Sequence, residues 1–260
     1  MSAVAEGTVP FVRLEGVAKT FGGVQALAGI DFHVGQGEVV ALLGDNGAGK
    51  STLVKLLSGV MKPDAGSITM RERKVNFRSA RDAIDVGVET IFQSSALVNQ
   101  LSVARNLFLG REPQRRFLGF IPHLDKSAMR VQTSELLSEI GLHRSVDPDS
   151  TIATLSGGER QSIAIARAMH FHADLIILDE PTNNLGVEET RRVLQFIRDV
   201  RTAGRSAVFI THNIFHVFQV VDRVVVLRHG RKIADILTAD TSVEEVERII
   251  TGNELAAKPS

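Results

Sequence analysis

The sequence predicts an α/β fold: a parallel β-sheet core with an antiparallel β subdomain and an inserted α-helical lobe. A short apolar strand at residues 39–43 precedes a glycine-rich loop and a run of leucines at helical spacing. Strand and helix patterns alternate again over residues 175–210, as in βαβ units with right-handed crossovers. Residues 94–170, between these regions, carry polar-loop and helical patterns that indicate an insertion.

The antiparallel subdomain is predicted by segments in which buried and exposed residue types alternate. Residues 11–17 and 30–34 have this pattern, with a turn at residues 21–23. Further short strands are expected at residues 67–70 and 75–77, after a cluster of turn-forming residues. Because parallel strands gather their ligand loops at their carboxyl ends, we expect the functional site at that edge of the main sheet.

Two helices and a linker are expected in the inserted lobe. The helices are predicted near residues 103–109 and 126–140, from the spacing of apolar side chains. Residues 111–122 contain Gly and Pro and are predicted to form a linker, with Arg115 and Arg116 in a solvated turn.

Capping residues predict several helix boundaries. The helix after the glycine loop is expected to extend to Val60, and Ser79 is the expected N-cap of the next short helix. Thr241 and Glu244 have the spacing of a capping box and predict the start of the C-terminal helix.

Composition and charge exclude several classes of protein. Of 260 residues, 43% are hydrophobic, which is enough for a sizeable core. Lys plus Arg and Asp plus Glu number 30 each, so no global charge favours nucleic acid, and we expect no nucleic-acid partner. The chain has no cysteine, which excludes disulfides and suits a reducing compartment. No apolar run approaches bilayer length, so membrane association is expected only through a partner.

Residues 44–51 match the phosphate-binding pattern Gly-x-x-x-x-Gly-Lys-Ser/Thr at every fixed position. Glycines adopt positive φ and lack a Cβ, so backbone N–H groups can converge on a phosphate at the following helix N-terminus. Lys50 adds a positive charge for the β- and γ-phosphates, and the Ser51 hydroxyl is the expected Mg²⁺ ligand. The predicted nucleotide-binding residues of this loop are Gly44, Asp45, Asn46, Gly47, Ala48, Gly49, Lys50, Ser51 and Thr52.

A second candidate anion site lies at residues 155–161, Leu-Ser-Gly-Gly-Glu-Arg-Gln, at the start of a predicted helix. Ser156 can cap this helix, and Gly157 and Gly158 allow backbone N–H groups to reach a phosphate. The order of the two motifs does not decide whether one nucleotide meets both sites within a single chain.

Residues 155–161 are similar to the signature of ABC-type ATPases. Together with four other segments in the family's order, the resemblance covers almost the whole chain, at 44–51, 93, 155–161, 175–180 and 212. The resemblance implies a head-to-tail homodimer that binds two ATP molecules. Each ATP would lie between the phosphate loop of one subunit and Ser156, Gly157 and Gly158 of the other.

The resemblance also implies roles for five further residues. Asp179 resembles the carboxylate that holds Mg²⁺, and Glu180 resembles the general base that polarises the attacking water. Gln93 resembles the residue that contacts Mg²⁺ and this water, in a loop that contacts the membrane partner. His212 resembles the histidine that contacts the γ-phosphate. Phe21 resembles the aromatic residue that stacks on adenine.

Some of these assignments have plainer alternatives. Gln93 would then be a surface glutamine, and Phe21 would pack in the core. His212 and His216 are four residues apart, a spacing that also suits a zinc pair, although no cysteine or third ligand is placed beside them.

One segment departs from the family pattern. After Glu180-Pro-Thr the family commonly has Ser-Ala-Leu-Asp, whose aspartate works at the dimer interface, whereas this chain has Asn183-Asn184-Leu185-Gly186. The difference concerns communication between the two sites rather than ATP binding. The asparagines can supply neutral hydrogen bonds, and the glycine can begin the next helix.

The resemblance gives expectations for domain organisation. We expect a single domain over residues 10–252, with the helical lobe at 94–170 including the signature. The catalytic core and the antiparallel subdomain are expected at 10–92 and 171–240, and a C-terminal helix and tail at 241–260.

Residues 91–113 and 185–187 resemble the branch of this family that energises bacterial monosaccharide import, of the ribose, xylose and fructose type. The resemblance implies an ATP-hydrolysing subunit on integral-membrane permease subunits, peripheral at the cytoplasmic face of the inner membrane. An extracytoplasmic sugar-binding protein would act indirectly. Many members resemble two fused copies of the domain, and a single copy here predicts a homodimer.

Three other functions compete with this hypothesis. A soluble ABC-type ATPase acting on DNA or ribosomes would need a long coiled coil or tandem domains, and neither pattern is present. A kinase or GTPase with the same phosphate loop leaves residues 155–161 unexplained, and no Asn-Lys-x-Asp motif occurs. A regulatory module without hydrolysis is disfavoured by Glu180 and His212.

Overall fold

The computed structural model describes residues 10–92, 97–117, 120–140, 142, 145–171, 173–183 and 185–252. The chain divides into two compact units. The first unit contains residues up to 92, 173–183 and those from 194 onward, and the second contains 93–172 and 184–193. Residues 184–193 thus belong to the second unit, in addition to the lobe predicted at 94–170.

The described residues form twelve strands and eight helices. The strands are β1 (Pro10–Phe21), β2 (Val24–Gly35), β3 (Val39–Leu43), β4 (Ala65–Met70), β5 (Arg73–Val75), β6 (Val88–Ile91), β7 (Gln114–Phe117), β8 (Ile121–Leu124), β9 (Leu175–Asp179), β10 (Ser206–Ile210), β11 (Arg223–Arg228) and β12 (Arg231–Leu237). The helices are α1 (Lys50–Leu57), α2 (Ala80–Asp85), α3 (Val103–Leu107), α4 (Lys126–Glu139), α5 (Gly157–His170), α6 (Val187–Thr202), α7 (Ile214–Val217) and α8 (Val243–Thr251). None of the described helices is long and apolar enough to cross a bilayer.

The main sheet of the first unit has the strand order β12-β11-β3-β10-β9-β6. Its pairs are parallel except β11 with β12, which form an antiparallel hairpin at one edge. Every residue of β3 and β10 is buried, as expected for a parallel strand covered on both faces. The predicted parallel core is confirmed, and the carboxyl ends of β3, β9 and β10 meet at one edge.

The antiparallel subdomain is also confirmed, with the strand order β2-β1-β4-β5. Leu14 lies opposite Phe32, and both side chains are buried. The β1–β2 hairpin closes where Phe21 pairs with Val24 around Gly22 and Gly23, whose φ angles are 50° and 90°. Positive φ at both central residues matches the twist of a two-residue hairpin turn.

A buried arginine joins strands within the first unit. Arg223 at the start of β11 is 3% exposed and donates to Glu38 Oε1 and Asp235 Oδ1, each at 2.6 Å. It also donates to the carbonyl oxygen of His33 in β2, at 2.8 Å. Because a buried guanidinium is costly without partners, this network ties the antiparallel subdomain to the edge of the main sheet.

The second unit has its own apolar core, which includes Met129, Leu136 and Leu137 from the predicted face of α4. Asn106 in α3 is fully buried, and its side-chain amide forms hydrogen bonds with the preceding loop. Its side chain accepts from the N–H of Val98 at 2.6 Å and donates to the carbonyls of Val98, Leu101 and Ser102. These bonds fix the loop before α3 to the helix.

The predicted linker at residues 111–122 is wrong for most of its length, because β7 and β8 form an antiparallel hairpin there. Arg115 lies opposite His123, and Arg116 lies opposite Pro122. Each strand is four residues long, and charged and proline positions interrupt its apolar pattern, so period-2 alternation gave no signal.

Two predicted helix boundaries need correction. The N-cap of α8 is Ser242, whose Oγ accepts from the N–H of Glu245 at 3.2 Å, so the helix cap lies one residue after the predicted one. Thr241 and Ser242 are adjacent, as are Glu244 and Glu245, so the sequence allows either hydroxyl to be the N-cap. In the structure the N-cap is Ser242. Helix α1 ends at Leu57, and Val60 lies outside it and is 54% exposed.

Ser79 precedes α2 as predicted, but its hydroxyl donates to the Asp82 carboxylate at 3.1 Å and makes no side-chain cap to the backbone.

Candidate nucleotide-binding site

The phosphate loop connects β3 to α1 and requires glycine at two fixed positions. Gly44 has φ 141°, and a Cβ there would overlap the carbonyl oxygen of Leu227. Gly49 is the N-cap of α1 with φ 107°, and its Cβ would lie 2.7 Å from the carbonyl oxygen of Ala26. At Gly47 a Cβ would meet nothing within 4 Å. The loop is therefore packed against strands of the first unit on one side and open on the other.

Lys50, the first residue of α1, places its ammonium over the same loop. Its Nζ donates to the carbonyl oxygens of Gly44 at 2.5 Å and Asp45 at 2.9 Å. Burial lowers the pKa of Lys50, while the carboxylates of Glu180, Asp179 and Asp45 oppose that shift. An ammonium has three N–H donors, and these two carbonyls take two of them, so the group is suited to a phosphate oxygen beside the loop.

Asp179 ends β9, which lies between β10 and the edge strand β6 of the main sheet. Burial raises the pKa of its carboxyl, the negative charge of Glu180 raises it further, and Lys50 and Lys55 act in the opposite direction. Two neighbouring carboxylates that repel each other gain from a cation placed near them. The donor chemistry therefore fits Mg²⁺ held by Asp179 and the Ser51 hydroxyl.

No cluster of three or more His, Asp or Glu side chains that could hold a metal occurs among the described residues. A Mg²⁺ ion at Asp179 would therefore need phosphate oxygens and water as further ligands, as is usual for this ion. The zinc alternative for His212 and His216 gains no third ligand from the described part of the chain.

Glu180 has a strained backbone, with φ 53° at a non-glycine residue. Its N–H donates to the carbonyl oxygen of Ile210 at 2.9 Å, which holds the residue at the end of β10. Left-handed conformations at such residues cost free energy and concentrate at functional sites.

The His212 ring lies beside the Glu180 carboxylate. Nδ1 of His212 is 3.0 Å from Oε2 of Glu180, and the histidine side chain is 72% exposed. An ionised carboxylate only accepts hydrogen bonds, so Nδ1 must carry the proton and Nε2 is left for another partner. The pair has the geometry of a base that is oriented by a neighbouring histidine.

Phe21 lies at the end of β1 with its ring 44% exposed. Lys19 Nζ lies 5.8 Å from the centroid of this ring. Phe21 is therefore not buried in the core, and its exposed side chain is suited to stacking.

The signature at the start of α5 contains a capping box. The Ser156 N–H and Oγ–H both donate to Glu159 Oε2 at 2.9 Å, and the Glu159 N–H donates to Ser156 Oγ at 3.2 Å. The prediction that Ser156 caps this helix is confirmed. The sequence analysis missed the role of Glu159, although the Ser-x-x-Glu spacing was a signal for it. A Cβ at Gly157 would meet nothing within 4 Å, so that residue is open to solvent.

Two predicted positions lie outside the described residues, Gln93 and Asn184. Gly186 directly precedes α6, and its carbonyl oxygen accepts from the Thr190 N–H at 3.0 Å. The predicted helix-start role of this glycine is confirmed.

The fold and the site together define an ATP-binding cassette. The family model described as ABC transporter matches residues 27–183, and the chain belongs to this family of ATP-hydrolysing subunits.

Curated relatives extend the likeness over nearly the whole chain. The chain is 42% identical to the fructose import ATP-binding protein FrcA of Rhizobium meliloti, over 94% of both proteins. It is 42% identical to the xylose/arabinose import ATP-binding protein XylG of Sulfolobus acidocaldarius, over 92% of this chain and 93% of the relative. It is also 42% identical to the ribose import ATP-binding protein RbsA 1 of Rubrobacter xylanophilus, but spans only 48% of that relative's length.

Solved structures confirm the fold. A nucleotide-free ATP-binding cassette from an ABC transporter superimposes with a TM-score of 0.78 and 23% identity, over 94% of this chain and 96% of the other. A dimeric ATP-binding cassette in a post-hydrolysis state, bound to ADP and Pi, gives a TM-score of 0.74 and 23% identity, over 87% and 98% of the two chains.

Proposed function

We propose that this chain is one of two identical ATPase subunits that energise import of a monosaccharide through a membrane permease. The observation that carries the proposal is its 42% identity, over 94% of both chains, to a fructose import ATP-binding protein. The chain is equally similar, at 42% identity, to a xylose/arabinose import protein. This supports a monosaccharide as the cargo without favouring one sugar. These relatives favour a permease partner over the soluble ATPase alternative.

The proposed nucleotide site combines residues of the first unit with Gln93, in the roles that the family resemblance implies. Backbone N–H groups of residues 44–52 and the Lys50 ammonium bind the phosphates, and Phe21 stacks on adenine. Ser51, Asp179 and Gln93 hold Mg²⁺, which neutralises charge that develops on the phosphoryl oxygens.

Glu180 then acts as the general base on the attacking water. His212 donates from Nδ1 to the Glu180 carboxylate at 3.0 Å, which fixes the direction of the carboxylate oxygens. We infer that Nε2 of His212 contacts the γ-phosphate, because it is the ring atom that the glutamate leaves free. Phosphate oxygens accept hydrogen bonds, so this contact requires a hydrogen on Nε2 as well as on Nδ1. Phosphoryl transfer depends mainly on positioning and charge neutralisation, and both are supplied by these groups.

Two copies are proposed to close head to tail on two ATP molecules, each completed by Ser156, Gly157 and Gly158 of the opposite subunit. To move an open-to-closed ratio from 1:99 to 99:1, ATP must favour the closed state by about 5.5 kcal/mol. Charge-assisted hydrogen bonds to the γ-phosphate that form only on closure can provide that difference. Hydrolysis and loss of phosphate remove it. The relatives of single and of double length agree with a pair of cassettes in the working unit.

The proposed partners follow from the same resemblance. The loop at Gln93 and the second unit contact the permease, which places the chain at the cytoplasmic face of the inner membrane as a peripheral subunit. An extracytoplasmic sugar-binding protein delivers the cargo, and no nucleic acid is involved.

Reconstitution tests the proposal directly. A monosaccharide permease that co-purifies with this chain, placed with it in liposomes, should support ATP hydrolysis that a monosaccharide-loaded binding protein stimulates. Lys50→Ala should abolish hydrolysis in the same preparation, and Mg²⁺ removal by EDTA should do the same. Co-sedimentation with ribosomes and no capture by any permease would instead support the soluble alternative.

A further inference from the structure

The signature serine is already engaged by a carboxylate of its own helix. Both donors of Ser156, the backbone N–H and the hydroxyl, end on one oxygen of Glu159, each at 2.9 Å. The bonds are exposed, and Glu159 lies in the first turn of α5. The donors that a phosphate would need at this helix N-terminus therefore have an anionic acceptor within the same chain.

A serine hydroxyl carries one hydrogen and cannot donate fully to two acceptors at once. If the γ-phosphate of an ATP on the opposite subunit accepts from Ser156 Oγ, the bond to Glu159 must break or be shared. The exchange brings a phosphate oxygen to within a few ångströms of the Glu159 carboxylate, since both use the same hydroxyl. Like charges at that distance repel, even at a partly solvated site.

Glu159 remains charged at neutral pH and keeps another partner during the exchange. The Ser156 backbone N–H holds the pKa of Glu159 below its ordinary value, and the hydroxyls of Ser156 and Ser145 act in the same direction. When the Ser156 hydroxyl turns to phosphate, the Ser156 backbone N–H can still donate to the carboxylate.

A second carboxylate lies against the same turn within the second unit. A Cβ on Gly158 would lie 2.7 Å from Glu189 Cγ and 3.2 Å from Glu189 Oε1. The Glu189 side chain, in the first turn of α6, therefore covers the Cα of Gly158. Its other oxygen would lie 2.6 Å from a Cβ on Gly186. Glu189 thus spans the signature and the loop whose usual interface aspartate is replaced by glycine.

We propose that Glu159 competes with the γ-phosphate of ATP on the opposite subunit for the Ser156 donors, and so raises the ATP concentration needed to close the dimer. Glu189 adds a second negative charge at the same turn and acts in the same direction. Glu159 is a positioning residue, since its capping box holds Ser156 in place while no phosphate is bound. The inference rests on the proposed ATP-clamped dimer.

The test uses Glu159→Gln in a Glu180→Gln parent that binds ATP without turnover. Glutamine keeps the capping-box oxygen for the Ser156 N–H and removes only the charge. We expect the ATP concentration for half-maximal dimerisation, measured by light scattering after size exclusion, to fall on the order of tenfold at low salt. Glu159→Gln combined with Glu189→Gln should lower it further. The exposed Glu135→Gln on α4 is the matched charge control and should leave it unchanged.

The salt dependence of ATP-induced dimerisation distinguishes charge competition by Glu159 from a purely structural effect of the substitution. The difference between parent and Glu159→Gln should shrink as ionic strength rises from about 0.05 M to 0.5 M, because exposed charges are screened. An unchanged or higher half-maximal ATP concentration in Glu159→Gln, with the helix intact by circular dichroism, would overturn the inference. A parent that fails to dimerise with ATP at all would overturn the proposed function instead.

Discussion

His212 Nδ1 lies 3.0 Å from Glu180 Oε2, although the two residues are 32 positions apart in the sequence. The contact forms because Glu180 follows β9 and His212 follows β10, two neighbouring parallel strands whose carboxyl ends meet. Glu180 has a left-handed backbone, with φ 53°. The proposed base and the histidine beside it thus come from neighbouring strands of one sheet.

Removal of either member of this pair should slow hydrolysis while ATP still binds. Glu180→Gln should lower kcat by about 100-fold to 10,000-fold, the usual range for a general base, with the Kd for ATP within about threefold of wild type. His212→Ala should lower kcat by about 100-fold on the same basis. Steady-state phosphate release and nucleotide binding by fluorescence measure both quantities. His123→Ala, an exposed histidine of β8 in the second unit, serves as the control. A wild-type kcat in His212→Ala would show that the 3.0 Å contact has no part in catalysis.

The packing of the phosphate loop predicts unequal effects of two alanine substitutions. Gly44→Ala should destabilise the nucleotide-free protein by more than about 3 kcal/mol, because the new Cβ overlaps the carbonyl oxygen of Leu227. Gly47→Ala should cost about 1 kcal/mol, since its Cβ meets only open space and the remaining cost is its φ of 80°. Urea unfolding followed by circular dichroism measures the two free energies. Equal losses would contradict the close contact at Gly44.

Disruption of the buried network around Arg223 should cause a large loss of folding stability, independent of any role in catalysis. Arg223→Leu removes the buried cation from Glu38, leaves Asp235 with Lys232 as its remaining cationic partner, and should destabilise the protein by about 3–5 kcal/mol. Arg191→Leu breaks an exposed pair with Glu188 and should cost less than about 1 kcal/mol. Thermal and urea unfolding compare the two variants. A loss below 1 kcal/mol for Arg223→Leu would mean that water or another group satisfies the carboxylates.

The raised pKa of Asp179 predicts a substitution that increases stability and abolishes activity. Burial and the Glu180 charge disfavour the Asp179 carboxylate in the folded protein, so this group favours folding at low pH and loses that contribution as pH rises through its folded pKa. Asp179→Asn should therefore raise Tm at pH 8, and the gain should shrink toward pH 5. ATPase activity should fall to background. Asp199→Asn, exposed on α6, should show neither effect, and a gain that grows toward low pH would reverse the assigned sign.

Much of the site was predictable from local sequence, and its tertiary contacts were not. Residues 44–51 and the apolar strands β3, β9 and β10 are encoded by short continuous patterns, so the loop and the sheet were predicted together. The contact of His212 with Glu180 depends on which strands become neighbours, and no local pattern contains that information. The same holds for Glu189 against Gly158.

The other incorrect predictions came from sequence patterns that fit two helix starts equally well or that show no strand periodicity. Thr241 and Ser242 are both good N-caps, and packing rather than propensity decides between them. The hairpin of β7 and β8 is made of short strands with charged residues, which periodicity does not separate from a loop.

ATP is proposed to complete a site shared by two copies of this chain. Light scattering and bound-nucleotide analysis of Glu180→Gln with ATP and Mg²⁺ measure whether it does. We expect a dimer carrying two ATP molecules, and monomers when ADP replaces ATP. A monomer that retains ATP, or dimerisation that is equal with ATP and ADP, would contradict it.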